Sequence, residues 1–308
     1  MKDNFLKSLV KLGEQNPKLM VLTADLGFGL FEEFIQKYPN QYLNVGVAEQ
    51  NMIGVASGLA LDGYKVFVYS IANFSTFRCL EQVRNDICYH DLDITIIGFG
   101  GGFSYGPLGM THHATEDIGI MRVLPNMTVI VPSNLWEVDN AMLALGNYHK
   151  PTYLRLDRIT SPLGSSFENK NLVFELGKSI RLVDGTDLTI FICGSILSEA
   201  LLIATELAKK NISARIVSMH TIKPLDTAAI LSAINDTQAI ITLEEHNIIG
   251  GLGSAVAEYC MEKNARLKYF KRFGLRDTFS EIVGNREFLL DQYQINTKHV
   301  VNEVLSNF

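Results

Sequence analysis

Apolar residues recur at helical spacing through Phe5, Leu6, Leu9, Val10 and Leu12, and the run Leu19–Thr23 that follows reads as a buried strand. The same exchange of periods repeats along the first half. A helix through Phe31–Tyr38 is stopped by Pro39-Asn40, and a short strand follows near Tyr42–Asn44. A helix then runs from about Glu49 to Leu61, before the turn Asp62-Gly63. Lys65–Tyr69 and Ile94–Gly98 read as strands either side of a helix over Phe74–His90. Thr128–Val131 and Thr152–Leu156 flank another helix across Trp136–Leu145. Such alternation predicts an α/β fold, with mainly parallel sheets covered by helices on both faces.

Between Thr160 and about Lys178 the pattern fails. Ser161-Pro162-Leu163-Gly164-Ser165-Ser166 and Glu168-Asn169-Lys170-Asn171 have linker composition. The chain therefore divides into two doubly wound domains, residues 1–165 and 183–308, joined by a linker over 166–182. In the second, strand Leu188–Cys193 leads to helix Leu197–Lys209 and then to strands Ala214–Val217 and Ala239–Leu243. Helix Leu252–Glu262 and a short strand near Leu267–Phe270 are expected to end the regular part. There is no repeat at a solenoid period.

Composition narrows the function classes. Among 308 residues, 27 Lys and Arg stand against 33 Asp and Glu, a net charge of −6, so no basic excess exists to bind nucleic acid. Hydrophobic residues make up 47% and charged ones 19%, which suits a buried core and not a disordered chain. Cys79, Cys88, Cys193 and Cys260 form no C-x-x-C pair, which argues against a zinc site or a disulfide framework and for a reducing compartment. The longest stretch free of Asp, Glu, Lys and Arg, Ile94–Thr115, holds six Gly, a Pro and two His, so it reads as a loop and not a membrane helix. With no apolar signal core at Met1-Lys2-Asp3-Asn4, the expectation is a cytoplasmic protein with no membrane partner.

Four constellations and a pair of arginines carry candidate chemistry. In Val47-Ala48-Glu49-Gln50-Asn51-Met52 a single carboxylate stands at a strand-to-helix junction among small apolar residues. Burial there raises a carboxyl pKa unless the group is paired, which suits proton sharing with a nitrogen heterocycle. The plain alternative is a first-turn acid favouring the helix dipole. Phe74 and Phe77 follow a strand's carboxyl end, where open α/β sheets bind ligands, and they read either as a stacking platform or as i, i+3 core positions. The glycine-rich run Gly98–His113 lets backbone approach a ligand closely, and its adjacent His112 and His113 point apart, favouring a substrate hydroxyl over a shared metal. Gly250-Gly251-Leu252-Gly253-Ser254-Ala255 reads as a tight turn entering a helix. Arg155 and Arg158 fork a phosphate or carboxylate, or pair on the surface.

In chain order these segments resemble the carboxyl-terminal half of transketolase. The resemblance is carried by Ala24-Asp25-Leu26, Val47–Met52, the Phe74–Arg84 helix, Thr111-His112 and Leu124–Pro132. It continues through Met219-His220-Thr221-Ile222-Lys223-Pro224-Leu225-Asp226 and Glu244-Glu245-His246 with the glycine turn after it. It covers nearly the whole chain. What it implies is a pyrimidine-binding domain plus the family's third domain. The family's Gly-Asp-Gly metal–diphosphate signature is absent, so this looks like the β-type subunit of a split transketolase. The resemblance then implies thiamine diphosphate shared with a separate subunit that carries the Mg²⁺ ligands, in an α2β2 tetramer. The reaction implied moves a two-carbon ketol unit from a ketose to an aldehyde acceptor.

The same resemblance gives Glu49 the hydrogen bond to the cofactor's pyrimidine nitrogen and Phe74 the stacking on that ring, with Phe77 beside it. Asp25 matches an acid close to the cofactor. His112 matches a histidine on the substrate's oxygens, and Arg155 an arginine that holds a sugar phosphate. Departures point to an altered donor. Pro107-Leu108-Gly109-Met110 lacks the acid that reads a donor hydroxyl, a family histidine falls near Gly100, and a phosphate-binding serine falls near Gly29. A deoxy or nucleotide-linked sugar is expected in place of pentose phosphates. The alternative readings are the β chain of the first component of a 2-oxoacid dehydrogenase, which has a related two-domain layout, and a deoxyxylulose-phosphate-synthase-like enzyme. A non-catalytic scaffold would have no use for Glu49 facing Phe74.

Overall fold

The computed structural model describes residues 1–158 and 172–308. Its strands are β1 (Leu19–Thr23), β2 (Tyr42–Asn44), β3 (Lys65–Ile71), β4 (Ile94–Phe99), β5 (Thr128–Ile130) and β6 (Thr152–Leu156). Then come β7 (Ile180–Val183), β8 (Leu188–Ile192), β9 (Ala214–Ser218), β10 (Thr221–Lys223), β11 (Ala239–Asn247) and β12 (Tyr269–Leu275). Seven form one sheet in the order β10-β5-β6-β4-β3-β1-β2, parallel except where β10 joins antiparallel to β5. Five form the other, β12-β11-β8-β9-β7, parallel except β7. The α/β class and mainly parallel sheets stand as expected.

The two central strands of the first sheet, β3 and β4, are buried along nearly their whole length, as strands covered on both faces must be. On one face Phe5, Leu9, Phe34, Phe67, Val138 and Leu145 pack beneath the helices Lys2–Gln15 and Leu135–Gly146. On the other, Met52, Ile53, Val68 and Ile96 begin a cluster that runs on through Val131 to Phe191, Met219 and Ile240. That core crosses from one sheet to the other without a break. It buries roughly 1.5–3 kcal/mol per large apolar side chain relative to exposure.

Three expectations need correction. The second half does not finish at Phe270, because helices Arg286–Gln292 and Thr297–Asn307 follow, each opened by an asparagine side chain that accepts a backbone N–H. The helix over Phe74–His90 is broken. It runs Ala72–Thr76, resumes at Leu80–Gln82, and continues as a wide turn over Val83–Cys88. Ser75 and Thr76 hydroxyls bond back to the carbonyls of Ile71 and Ala72, an arrangement that bends helices. Third, strand β7 opens at Ile180, inside the stretch read as linker. The boundary at 165–166 lies outside the described residues.

Candidate cofactor and substrate site

Every predicted site residue follows the carboxyl end of a parallel strand except Arg155, which lies within one. Asp25 follows β1, Glu49 follows β2, Phe74 and Phe77 follow β3, and the histidine loop follows β4. This edge of an open α/β sheet is where ligands bind, because connecting loops there diverge and leave a crevice. Asp25 has φ 55°, in the left-handed region that Asp tolerates. Its backbone N–H donates to Asn44 Oδ1 at 2.9 Å, and Asn44 Nδ2 donates back to Asp25 Oδ1 at 3.0 Å. The ends of β1 and β2 are thereby locked together just before Glu49.

Glu49 opens the helix Glu49–Leu61 and is only 2% exposed. Arg78 Nη1 donates to its Oε2 at 2.7 Å, and no group among the described residues bonds its Oε1. The same guanidinium lies 4.3 Å from the centroid of the Phe74 ring. On Phe74 also rests the His112 ring, at 5.4 Å and 65°, while His112 Nδ1 pairs with Thr111 Oγ1 at 3.0 Å. Glu49 and His112, from two other segments of the chain, are therefore joined through Arg78 and the Phe74 ring. Phe77 is exposed on the rim of a cleft of about 320 Å³ lined by Asn73, Phe74, Arg78, Thr111 and Phe279.

A second cleft, of about 510 Å³, opens at the same sheet edge between Leu26, Gly27, Phe28, Tyr105 and Arg158. Arg158 is exposed there, and burial pushes the Tyr105 hydroxyl up despite that nearby cation. The two histidines do point apart. His113 is buried, with Nε2 against Gly106 O at 3.0 Å, and burial lowers its pKa. His113 lines the first cleft, and the half-buried His112 ring lies between Phe74 and Tyr105, 5.4 and 6.1 Å from their centroids.

Arg155 is a correction. It is 2% exposed, and its donors are committed to Asp117 Oδ1 (3.2 Å), Asp157 Oδ1 (3.0 Å) and the Glu245 carbonyl (3.1 Å). Tyr153 OH also donates to Asp117, at 2.6 Å. Burial pushes the Asp157 carboxyl up, but Arg155 beside it and the Ser195 N–H outweigh burial and hold it below the ordinary value. Arg155 is thus a strut between the two sheets with no open face for a phosphate. The glycines need a second correction. A Cβ on Gly101 would lie 1.8 Å from Arg155 Nε, and one on Gly102 would lie 2.7 Å from Glu245 Cβ. They admit the strut, not a ligand. The turn before Leu252 is also closed to phosphate, since Glu244 accepts the Leu252 and Gly253 N–H groups at 2.7 Å each.

Sequence reasoning does not single out Arg78 or Glu245. The first carries a signal, an arginine four residues after Phe74, the spacing that stacks side chains on one helical face. Among the described residues no cluster of His, Cys, Asp and Glu is placed to hold a metal ion, and no helix is long and apolar enough to cross a membrane.

Comparison with known proteins gives consistent matches. The chain matches the family model for the transketolase pyrimidine binding domain over residues 1–162 and that for the transketolase C-terminal domain over residues 177–300. It is 35% identical over 303 residues to an apulose-4-phosphate transketolase subunit of Phocaeicola vulgatus, covering 98% of this chain and 95% of that one. It is also 35% identical to a 6-deoxy-6-sulfo-D-fructose transketolase subunit of a Clostridium species, covering 98% of this chain and 92% of that one. Among solved structures, a split gene transketolase in an inactive β4 tetramer superposes with TM-score 0.84 at 34% identity, covering 99% of this chain and 96% of that one.

Proposed function

The chain belongs to the transketolase family, and from that premise we propose that it is the pyrimidine-binding subunit of a split transketolase, completed by a separate subunit that grips the diphosphate and Mg²⁺. It is a transferase that moves a two-carbon ketol unit from a ketose to an aldehyde acceptor. A cytoplasmic α2β2 assembly is the form we assign to it. The observation that carries this reading is the placement of Glu49, more than nine-tenths buried, with one carboxylate oxygen bonded by Arg78, whose guanidinium lies over the Phe74 ring.

That arrangement fits the aminopyrimidine end of thiamine diphosphate. Glu49 would hold the ring nitrogen and share its proton, Phe74 would stack on the ring with Phe77 at its rim, and Asp25 would stand nearby at the β1–β2 junction. When bound, the cofactor supplies the carbanion equivalent that makes and breaks the carbon–carbon bonds. His112, bonded to Thr111 and lying against Phe74, would bind donor oxygens. The exposed Arg158, not Arg155, is the cation we assign to the donor's anionic end. The departures at Gly29, Gly100 and Pro107–Met110 fit a non-standard sugar. So do the two relatives, whose names carry a phosphate and a sulfo group.

The test is co-purification with the diphosphate-binding subunit and assay of thiamine-diphosphate-dependent ketol transfer. Glu49→Ala is expected to cut turnover by roughly 10²–10⁴-fold, the range for losing an acid–base group, with assembly intact. Unchanged turnover would remove Glu49 from the mechanism. Arg158→Met is expected to raise KM for a phosphorylated or sulfonated ketose by roughly 10–100-fold, the worth of a charge-assisted hydrogen bond, while sparing an uncharged one.

A further inference from the structure

The end of β11 straps the segment just after the histidine loop from the second sheet. Asn247 N–H donates to Thr115 O at 2.7 Å, and His246 Nε2 accepts the Gly119 N–H at 3.1 Å. Between them and the loop's first half stands Glu245, 3% exposed, whose Oε2 accepts the Phe103 N–H at 3.2 Å. Its Oε1 accepts from Ser195 Oγ at 3.2 Å and from Arg286 Nε at 2.7 Å, and Arg286 Nη2 bonds it too.

The place of contact matters. Gly102 and Ala114 pair through N–H groups and carbonyls in both directions, at 2.8 and 3.1 Å, closing residues 102–114 into one loop with a narrow neck. Phe103 is the first residue past that neck. It is fully buried, with its ring stacked on Tyr293 (5.6 Å, 19°) and edge-on to His113 (5.3 Å). The neck is one anchor of the loop that carries His112; Asn73 Nδ2, which donates to the Thr111 and His113 carbonyls at 3.0 and 2.8 Å, is the other.

We propose that Glu245 is a positioning residue. Clamped by Arg286 and Ser195, it sets the neck of the loop, so the second domain holds one of the two anchors that set how His112 meets the donor. This rests on the reading of His112 as a donor contact. A carboxylate is required because the clamp is ionic. A glutamine can still accept the Phe103 N–H but cannot hold Arg286 as an ion pair.

The test begins with the full chain by itself. Glu245→Gln is expected to speed amide exchange in peptides spanning 103–113 by about tenfold or more, leaving the Glu49–Leu61 helix at its wild-type rate. Arg286→Lys, which keeps a cation, is expected to fall nearer wild type. In the assembled enzyme Glu245→Gln is expected to raise donor KM roughly tenfold, with kcat within about twofold and cofactor affinity unchanged. Unchanged exchange at 103–113, acceleration throughout the chain, or a fall in kcat at wild-type KM would each overturn the proposal. A wild-type assembly that transferred no ketol unit would instead sink the functional reading, and the exchange result would still decide the tether.

Discussion

His220 has no exposed surface, stacks on Phe174 at 4.2 Å, and is pushed by burial down to about 4 from the ordinary 6.5. The folded chain resists this proton and the unfolded chain takes it, so its stabilisation is whole above pH 6.5 and drains away as pH falls toward 4. The loss amounts to at most about 3 kcal/mol. Urea unfolding at about pH 7 and about pH 4.5 is expected to show a smaller difference for His220→Gln than for wild type, and equal differences would refute the assignment. Arg78→Met, which strips the buried Glu49 of its cation, is expected to cost about 1–2 kcal/mol, between an exposed pair and a buried one. Although the Arg78 that pairs with Glu49 lies 29 residues away, the places of Glu49 at the head of its helix and of Phe74 just after β3 were legible from the local pattern. Arg155 was not, because the groups that bury it, Asp117 and Glu245, lie 38 and 90 residues away.

Helices and strands with a clean period, such as Glu49–Leu61, Leu252–Glu262, β1 and β6, ended where the sequence pattern placed them. Elements shaped by tertiary contact did not. β10 is three residues long and exists because β5 offers it an edge, and the Phe74–His90 helix breaks through side chains that any period count treats as neutral. The glycine loop belongs to the same class. Its composition announced close approach but not to what. Gly101→Ala drives a methyl group into the Arg155 guanidinium and is expected to destabilise the chain by about 3 kcal/mol, the upper range of overpacking. A melting curve within error of wild type would show that the strut yields.

Across the whole molecule, two sheets share one apolar core and one charged junction, so unfolding is expected as a single cooperative transition. Arg155→Met leaves Asp117 and Asp157 buried without their cation, at a cost of about 3–5 kcal/mol. It is expected to split the calorimetric peak in two, and one peak at the wild-type temperature would argue against the junction as a coupling. The two sheets were foreshadowed by two runs of strand–helix alternation, but their interdependence was not, since neither β10 nor Glu245 carries a local sign of reaching across. β10 has a practical corollary for anyone dissecting the protein. A fragment that stops short of Thr221 would expose the bare peptide groups of Val129 and Ile130, an invitation to borrow a strand from a neighbouring molecule and precipitate.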